Sequence, residues 1–212
     1  MQLIGMLDSP YVRRVAIALQ FMGLRFTHEP LSVFRTFEQF SRINPVVKAP
    51  TLVCDDGVVL MDSTLILDYA AALAGPGKSL MPGAIHERQH ALRIIGLALA
   101  ACEKSVQLVY EKHQRPEDKR HAPWTARLTG QLQAAYAQLE AELARRPMRS
   151  DRGSMDQAGI SMAVAWRFTR EMVPEAVPVA GLAHLAAFCA AAETLPEFQA
   201  AQYGSGTYAP AR

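Results

Sequence analysis

Three short stretches carry residue types that could do chemistry together. The first is Ser9-Pro10-Tyr11-Val12-Arg13-Arg14-Val15. Ser9 stands where a strand-like apolar run gives way to helical spacing. That is an N-cap position, with Pro10 at N1, where its missing N–H costs nothing. A helix N-terminus offers unpaired N–H groups and a partial positive charge, so it suits an anion. The second stretch is Lys48-Ala49-Pro50-Thr51-Leu52-Val53. Proline at the mouth of an apolar strand removes a ladder donor and is tolerated at the first residue. A cis bond there would leave the backbone of Ala49 free to pair with something else, and the sequence leaves the isomer open. The third is Asp62-Ser63, a second helix start. Each has a plain reading too. Most serines before a helical proline only cap, and Asp62 is an ordinary N-cap carboxylate. No His–Asp pair accompanies Ser9.

The elements that must position these residues follow from periodicity. Gln2 to Leu7 reads as a buried strand. Val12, Val15, Ala16, Leu19 and Met22 then form one helical stripe, and Gly23 fits the left-handed C′ position. Phe26 to Val33 reads as a second strand, parallel to the first because a helix connects them. Thr36 to Ile43 reads as a short helix ended by Asn44-Pro45. Asp55-Asp56-Gly57 marks a hairpin between Thr51–Cys54 and Val58–Met61. The helix from Asp62 places Leu65, Ile66, Tyr69, Ala70 and Leu73 on one face and closes at Gly75. The order is β-α-β-α-β-β-α.

The segment from Gly75 to Gly83 is rich in glycine and proline and marks a domain boundary. Helical patterns follow: Ala84 to His113, Pro123 to about Arg146, one opened by the capping box Ser154-Met155-Asp156-Gln157, and Leu182 to Glu193. In the third of these Ile160, Met162, Ala163, Val164 and Trp166 go most of the way round, which predicts the buried centre of a bundle. The chain from Gln202 reads as irregular.

Composition removes several function classes. Half of the 212 residues are hydrophobic and a fifth charged, an ordinary globular balance. A net charge of +2 gives no field for nucleic acid or acidic membranes. No apolar run reaches a bilayer span, no secretory leader is expected, and a cytoplasmic location fits. Cys54, Cys102 and Cys189 have no metal or disulfide spacing and read as small buried hydrophobes. His86 and His90 are four apart but lack a third ligand, so no metal is expected.

A βαβ–ββα unit, a Pro-Gly linker and an all-helical remainder resemble the cytosolic glutathione transferases. Ser9-Pro10-Tyr11-Val12-Arg13-Arg14-Val15 looks like the first-helix motif of the serine-type classes and their bacterial relatives. Asn44-Pro45-Val46-Val47-Lys48-Ala49-Pro50-Thr51-Leu52 is similar to the family's "NP…(K/R)xPxL" segment. Asp62-Ser63-Thr64-Leu65-Ile66-Leu67-Asp68-Tyr69 looks like its "(E/D)SxxIxxY" segment. Each is a weak signal alone; three in this order and spacing are a strong one. The resemblance implies an α/β thioredoxin-like domain with a mixed four-stranded sheet over residues 1–78. A linker over 79–85 and an all-α helical bundle over 86–212 complete it.

The resemblance also implies roles. Pro50 is cis, and the backbone of Ala49 pairs with the cysteinyl part of glutathione like an added strand. Ser63 offers a hydroxyl and an N–H to the γ-glutamyl carboxylate, and Asp62 accepts from the ammonium. Lys48 is a partner for the glycyl carboxylate. Ser9 donates to the sulfur and favours thiolate over thiol, with Tyr11 as the alternative donor. The electrophile is expected against Tyr11, Ser105, Leu108, Val109, Tyr110 and Trp166. Glutathione is then a co-substrate, the reaction a detoxifying transfer to a small hydrophobic electrophile, and the protein a homodimer. Rival readings are a glutathione-dependent isomerase or disulfide reductase, and a non-catalytic ligand-binding protein of the same fold.

Two departures stand out. Redox relatives carry a cysteine where this chain has Ser9, and the nearest cysteine here is Cys54. The family also places an aspartate in the first turn of the central helix of the second domain, where this chain has Ala158-Gly159-Ile160. Ser154 with Gln157, or Asp156 as N-cap, is the substitute expected.

Overall fold

Strand and helix alternate through the first part of the chain because the apolar period switches at each turn signal. In a computed structural model residues 1–209 are described. The elements are β1 (Gln2–Ile4), α1 (Pro10–Phe21), β2 (Thr27–Glu29), α2 (Phe37–Ile43), β3 (Thr51–Val53), β4 (Val59–Leu60) and α3 (Ser63–Ala74). The sheet order is β2-β1-β3-β4, with β1 parallel to β2 and antiparallel to β3, and β3 antiparallel to β4. This is the mixed four-stranded, thioredoxin-like sheet that the resemblance implies.

The strands are shorter than the apolar runs that announce them. Met6 and Leu7 are buried, but Gly5 at φ 132° turns the chain out of the sheet. Burial alone does not make a strand. The α1 stripe of Val12, Val15, Ala16, Leu19 and Met22 is buried as expected. So are Arg13 and Arg14 on its other faces, each 1% exposed.

The inward face of α3 differs from the one expected. Ser63, Ile66, Leu67 and Ala70 face in, while Leu65, Tyr69 and Leu73 are exposed. The sequence holds two apolar stripes at helical spacing, 66/67/70 in line with Ser63 and 65/69/73. The buried Arg14 selects between them by bonding Ser63 and Thr64.

The second compact unit is Pro82–Glu193. It contains α4 (Ile85–His113), α5 (Ala122–Arg145), α6 (Gln157–Met172) and α7 (Ala183–Ala192). As expected, α6 is buried on nearly all sides, with Ile160, Met162, Ala163, Val164 and Trp166 all in the core. Its cap is Asp156, whose side chain accepts from the Gly159 N–H at 2.8 Å. The Ser154 capping box does not form, because the helix starts three residues after Ser154 rather than one. The Glu140 carboxylate of α5 accepts from the N–H groups of His184 and Leu185, so one helix caps another.

Glu142, also on α5, is nearly buried beside Arg145, Arg93 and His90. Hydrogen bonds from Arg145 and Arg93 hold its carboxyl down at about 2 from 4.5. A lowered folded-state value contributes stability above the unfolded value and loses it as pH falls. Urea unfolding should therefore show the wild type more stable than Glu142→Gln at pH 7. The gap should close as pH drops from about 4.5 through about 2.

The domain boundary at the C-terminal end differs from 86–212. The described residues 194–209 group with the first unit, and they include α8 (Pro196–Ala200), a helix too short to show a period. Arg13 Nε donates to the Ala201 carbonyl at 2.7 Å, and Nη2 to that of Phe198 at 3.4 Å. Tyr208 stacks on Phe26 at 4.4 Å, and its N–H donates to His28 Nδ1 at 3.0 Å. His28 Nε2 lies 2.7 Å from the Gly5 carbonyl, which can only accept, so the ring is the neutral Nε2–H tautomer. Burial lowers the His28 pKa in the same sense.

Candidate functional site

The register collects the three sequence stretches at one edge of the sheet. Ile4 at the end of β1 pairs with Thr51 at the start of β3, so the turn to Ser9 and the Ala49-Pro50 segment share that edge. Leu52 pairs with Leu60, so β4 delivers Asp62 and Ser63 to it as well. Antiparallel pairing of β3 with both neighbours dictates this.

Gly5 makes the edge tight. A Cβ on it would lie 2.6 Å from Val12 Cγ2 and 3.2 Å from Ala49 Cβ. Only a residue without a side chain lets α1 and the Ala49-Pro50 segment approach β1 together. The Ala49-Pro50 peptide is cis, the isomer that the resemblance implies. The Lys48 carbonyl accepts from Thr51 Oγ1 at 2.7 Å, and Asn44 Nδ2 donates to the same hydroxyl oxygen at 2.8 Å. Val47 sits at φ 51°, a left-handed backbone that costs a β-branched residue about 1–3 kcal/mol. The surrounding bonds hold it there, and the Lys48 side chain is exposed.

Ser9 caps α1 as expected: Oγ accepts from the Val12 N–H at 3.4 Å. That bond is long and uses only a lone pair, so the hydroxyl proton remains a donor. Ser9 is half-buried, as is Tyr11. Beside Ser9, burial pushes the Asp8 carboxyl up, opposed by Arg35 and by the Ser9 N–H. Arg35 also places Nη2 3.3 Å from Met6 Sδ.

Asp62 caps α3, with Oδ1 accepting from the Thr64 N–H at 2.8 Å. Ser63 is buried. Its hydroxyl accepts from Arg14 Nη1 at 3.1 Å, and Thr64 Oγ1 accepts from the same nitrogen at 3.2 Å. Sequence reading passed over Arg14, Asp8 and Arg35. Arg14 carries a readable signal in retrospect: with Arg13 it is a charge set within an otherwise apolar stretch, Val12, Val15 and Ala16.

Residues of the helical unit named for an electrophile pocket fall into two groups. Ser105, Leu108 and Trp166 are buried in the bundle. Thr169 Oγ1 donates to the Ala165 carbonyl, so the Ser105 and Tyr136 hydroxyls, 2.7 and 2.6 Å away, must donate to it. The Ser105 proton is thus engaged inside the core. Trp166 meets Tyr136 edge to face at 5.1 Å. Val109 is half-buried and Tyr110 exposed. Leu108 also lines an open cavity of about 350 Å³ with Glu111, Lys112, Thr125, Thr129 and Val173. The three cysteines are buried and form no disulfide. Among the described residues no group of His, Cys, Asp or Glu could hold a metal ion, and no helix is long and apolar enough to cross a membrane.

Comparisons with known proteins point one way. Residues 3–78 match the model for the N-terminal domain of glutathione S-transferases. Glutathione transferase GST 23 of Zea mays is 31% identical over 90 residues, which is 42% of this chain and 40% of the maize protein, so the match spans under half of that relative. A glutathione transferase family member from Pseudomonas fluorescens Pf-5, solved with bound glutathione, aligns at a TM-score of 0.79 and 29% identity over 95% of this chain and 98% of that one. A glutathione S-transferase from Methylobacterium radiotolerans in complex with glutathione sulfonate aligns at 0.83 and 27% identity, over 93% of this chain and 92% of that one.

Proposed function

We propose that this chain, whose residues 3–78 match the N-terminal domain of glutathione S-transferases, binds glutathione along this sheet edge and activates its thiol for attack on a small hydrophobic electrophile. The observation that carries the reading is the convergence of the Ser9 hydroxyl, the Ala49-Pro50 backbone and the start of α3 on one edge. Ala49 pairs with the cysteinyl backbone, and Ser63 and Asp62 take the γ-glutamyl end. Lys48 reaches the glycyl carboxylate through its exposed side chain. Ser9 donates its proton to the sulfur, and the N-terminus of α1 adds partial positive charge, so both favour the thiolate. The thiolate then forms the S–C bond. Either a leaving group departs with its electron pair, or a double bond takes up the thiol's proton.

Tyr11, close to Ser9 in the first unit, keeps accessible surface and is the residue proposed to meet the electrophile. The protein works in the cytoplasm, in detoxification, as a homodimer. What supports the dimer is the exposed apolar stripe of Leu65, Tyr69 and Leu73.

The test is a titration of glutathione bound to the protein, following thiolate absorbance against pH. The bound thiol should ionise below the ~8.5 of a free thiol. Binding with no such shift would leave a ligand-binding protein of the same fold. Products formed from an activated haloarene, an unsaturated diacid and a mixed disulfide then separate transferase from isomerase and reductase.

A further inference from the structure

Arg14 is almost fully buried, yet it is aimed at the first turn of α3 rather than into apolar packing. Its Nη1 carries two hydrogens and sits 3.1 Å from Ser63 Oγ and 3.2 Å from Thr64 Oγ1. A serine hydroxyl has one proton and two acceptor sites. With the guanidinium donating into one acceptor site, the proton of Ser63 must point elsewhere. The neighbouring acceptor Asp62 Oδ1 already takes the Thr64 N–H. The guanidinium is permanently charged, and behind a buried hydroxyl its field is weakly screened. It adds to the positive end of the α3 dipole, which lies in the same place.

From this we propose that Arg14 is a positioning and specificity residue. It orients the Ser63 hydroxyl as a donor toward the α-carboxylate of the γ-glutamyl arm, and its charge makes that end of the site select a carboxylate over a neutral group. The inference rests on the glutathione reading given above. It does not make Arg14 a catalytic residue, because the guanidinium acts through Ser63. Arg13, next to it, is turned toward the carbonyls of residues 198 and 201 and has no part in this. Of two adjacent arginines, one ties the chain together and the other backs the site.

The experiment is calorimetric titration of the full chain with glutathione and with the analogue whose γ-glutamyl residue lacks the α-carboxylate, 4-aminobutyryl-cysteinylglycine. The wild type should prefer glutathione by at least about tenfold, the worth of a hydrogen bond to a charged group. Arg14→Met should bring the two ligands to within about threefold, almost wholly by weakening glutathione. Arg14→Lys, which keeps the charge on a shorter side chain without the planar guanidinium, should retain an intermediate preference. Adding Ser63→Ala to Arg14→Met should cost glutathione little more, because the two act in series.

Equal weakening of both ligands in Arg14→Met would overturn the proposal in favour of a purely structural role, as would an unchanged ratio. If Arg14→Met fails to fold, the ratio in Arg14→Lys decides: a wild-type preference there overturns it. A wild type that binds both ligands equally sinks this inference and leaves the glutathione reading intact. A wild type that binds neither sinks both.

Discussion

Replacing Ser9 by alanine should lower the thiolate-dependent rate near neutral pH by roughly ten- to hundredfold. The loss of one donor to a charged sulfur is worth ~1.5–3 kcal/mol, and each ~1.4 kcal/mol is a factor of ten in rate. The measurement is kcat/KM against pH with an activated electrophile, where the acid limb should move up toward the free thiol value. Ser9 also caps α1, so alanine removes about 1 kcal/mol of stability as well. Glycine separates the two effects. It keeps the cap to within a few tenths of a kcal/mol but supplies no donor. Ser9→Gly should therefore lose the same rate with near-native stability. A fast Ser9→Gly enzyme would reduce Ser9 to its cap and move the donor role to Tyr11.

A larger effect on stability is expected at Gly5. Alanine there meets Val12 Cγ2 at 2.6 Å and Ala49 Cβ at 3.2 Å, on a backbone at φ 132° that side chains rarely adopt. Overpacking costs about 1–3 kcal/mol, and a strained backbone about the same again. A total of about 2–6 kcal/mol is a large part of the ~5–15 kcal/mol that holds a typical domain folded. Urea unfolding of Gly5→Ala should show it. Val12→Ala in the same chain should recover only the part due to Val12, because the contact with Ala49 and the backbone angle are unchanged. Glutathione binding should weaken in step, since relief of the clash displaces Ala49. Gly5→Ala at wild-type stability would mean that β1, α1 and the Ala49 segment are less tightly coupled than the geometry states.

Much of the first unit was legible because its turn chemistry coincides with changes of apolar period. Ser9-Pro10, Asn44-Pro45, Asp55-Asp56-Gly57 and Asp62-Ser63 each stand at an element boundary in the structure. The parallel pairing of β1 with β2 follows from the helix between them. Side-chain direction was less legible. In α3 two apolar stripes compete, and the choice is made by a bond to Arg14 that lies 49 residues away in sequence. Arg13 and Arg14 form a pair too small to read as a basic patch, and nothing local announces that both are buried. Their burial depends on carbonyls and hydroxyls supplied from elsewhere in the chain. Ser105 and Trp166 were singled out by residue type, but Thr169 and Tyr136 claim them, and neither pairing has a local signature. At the start of α6 two caps were offered within three residues. The local pattern could not rank the two, and the bond from the Gly159 N–H to Asp156 decides for Asp156.

The return of residues 194–209 to the first unit bears on how the protein is made. Arg13 leaves the ribosome well before the carbonyls that receive its guanidinium, which follow 185 and 188 positions later. Until then the nascent first unit carries a cation that it must bury without those acceptors, or keep wet. The helical unit, continuous from Pro82 to Glu193, has no such debt and can close while translation continues. The usual order, in which the N-terminal domain folds first, is therefore reversed in its last step. The proposed site therefore reaches its final form only after residues 198–201 have been synthesised, and a ribosome stalled short of Phe198 would hold a folded helical unit and an unfinished first one.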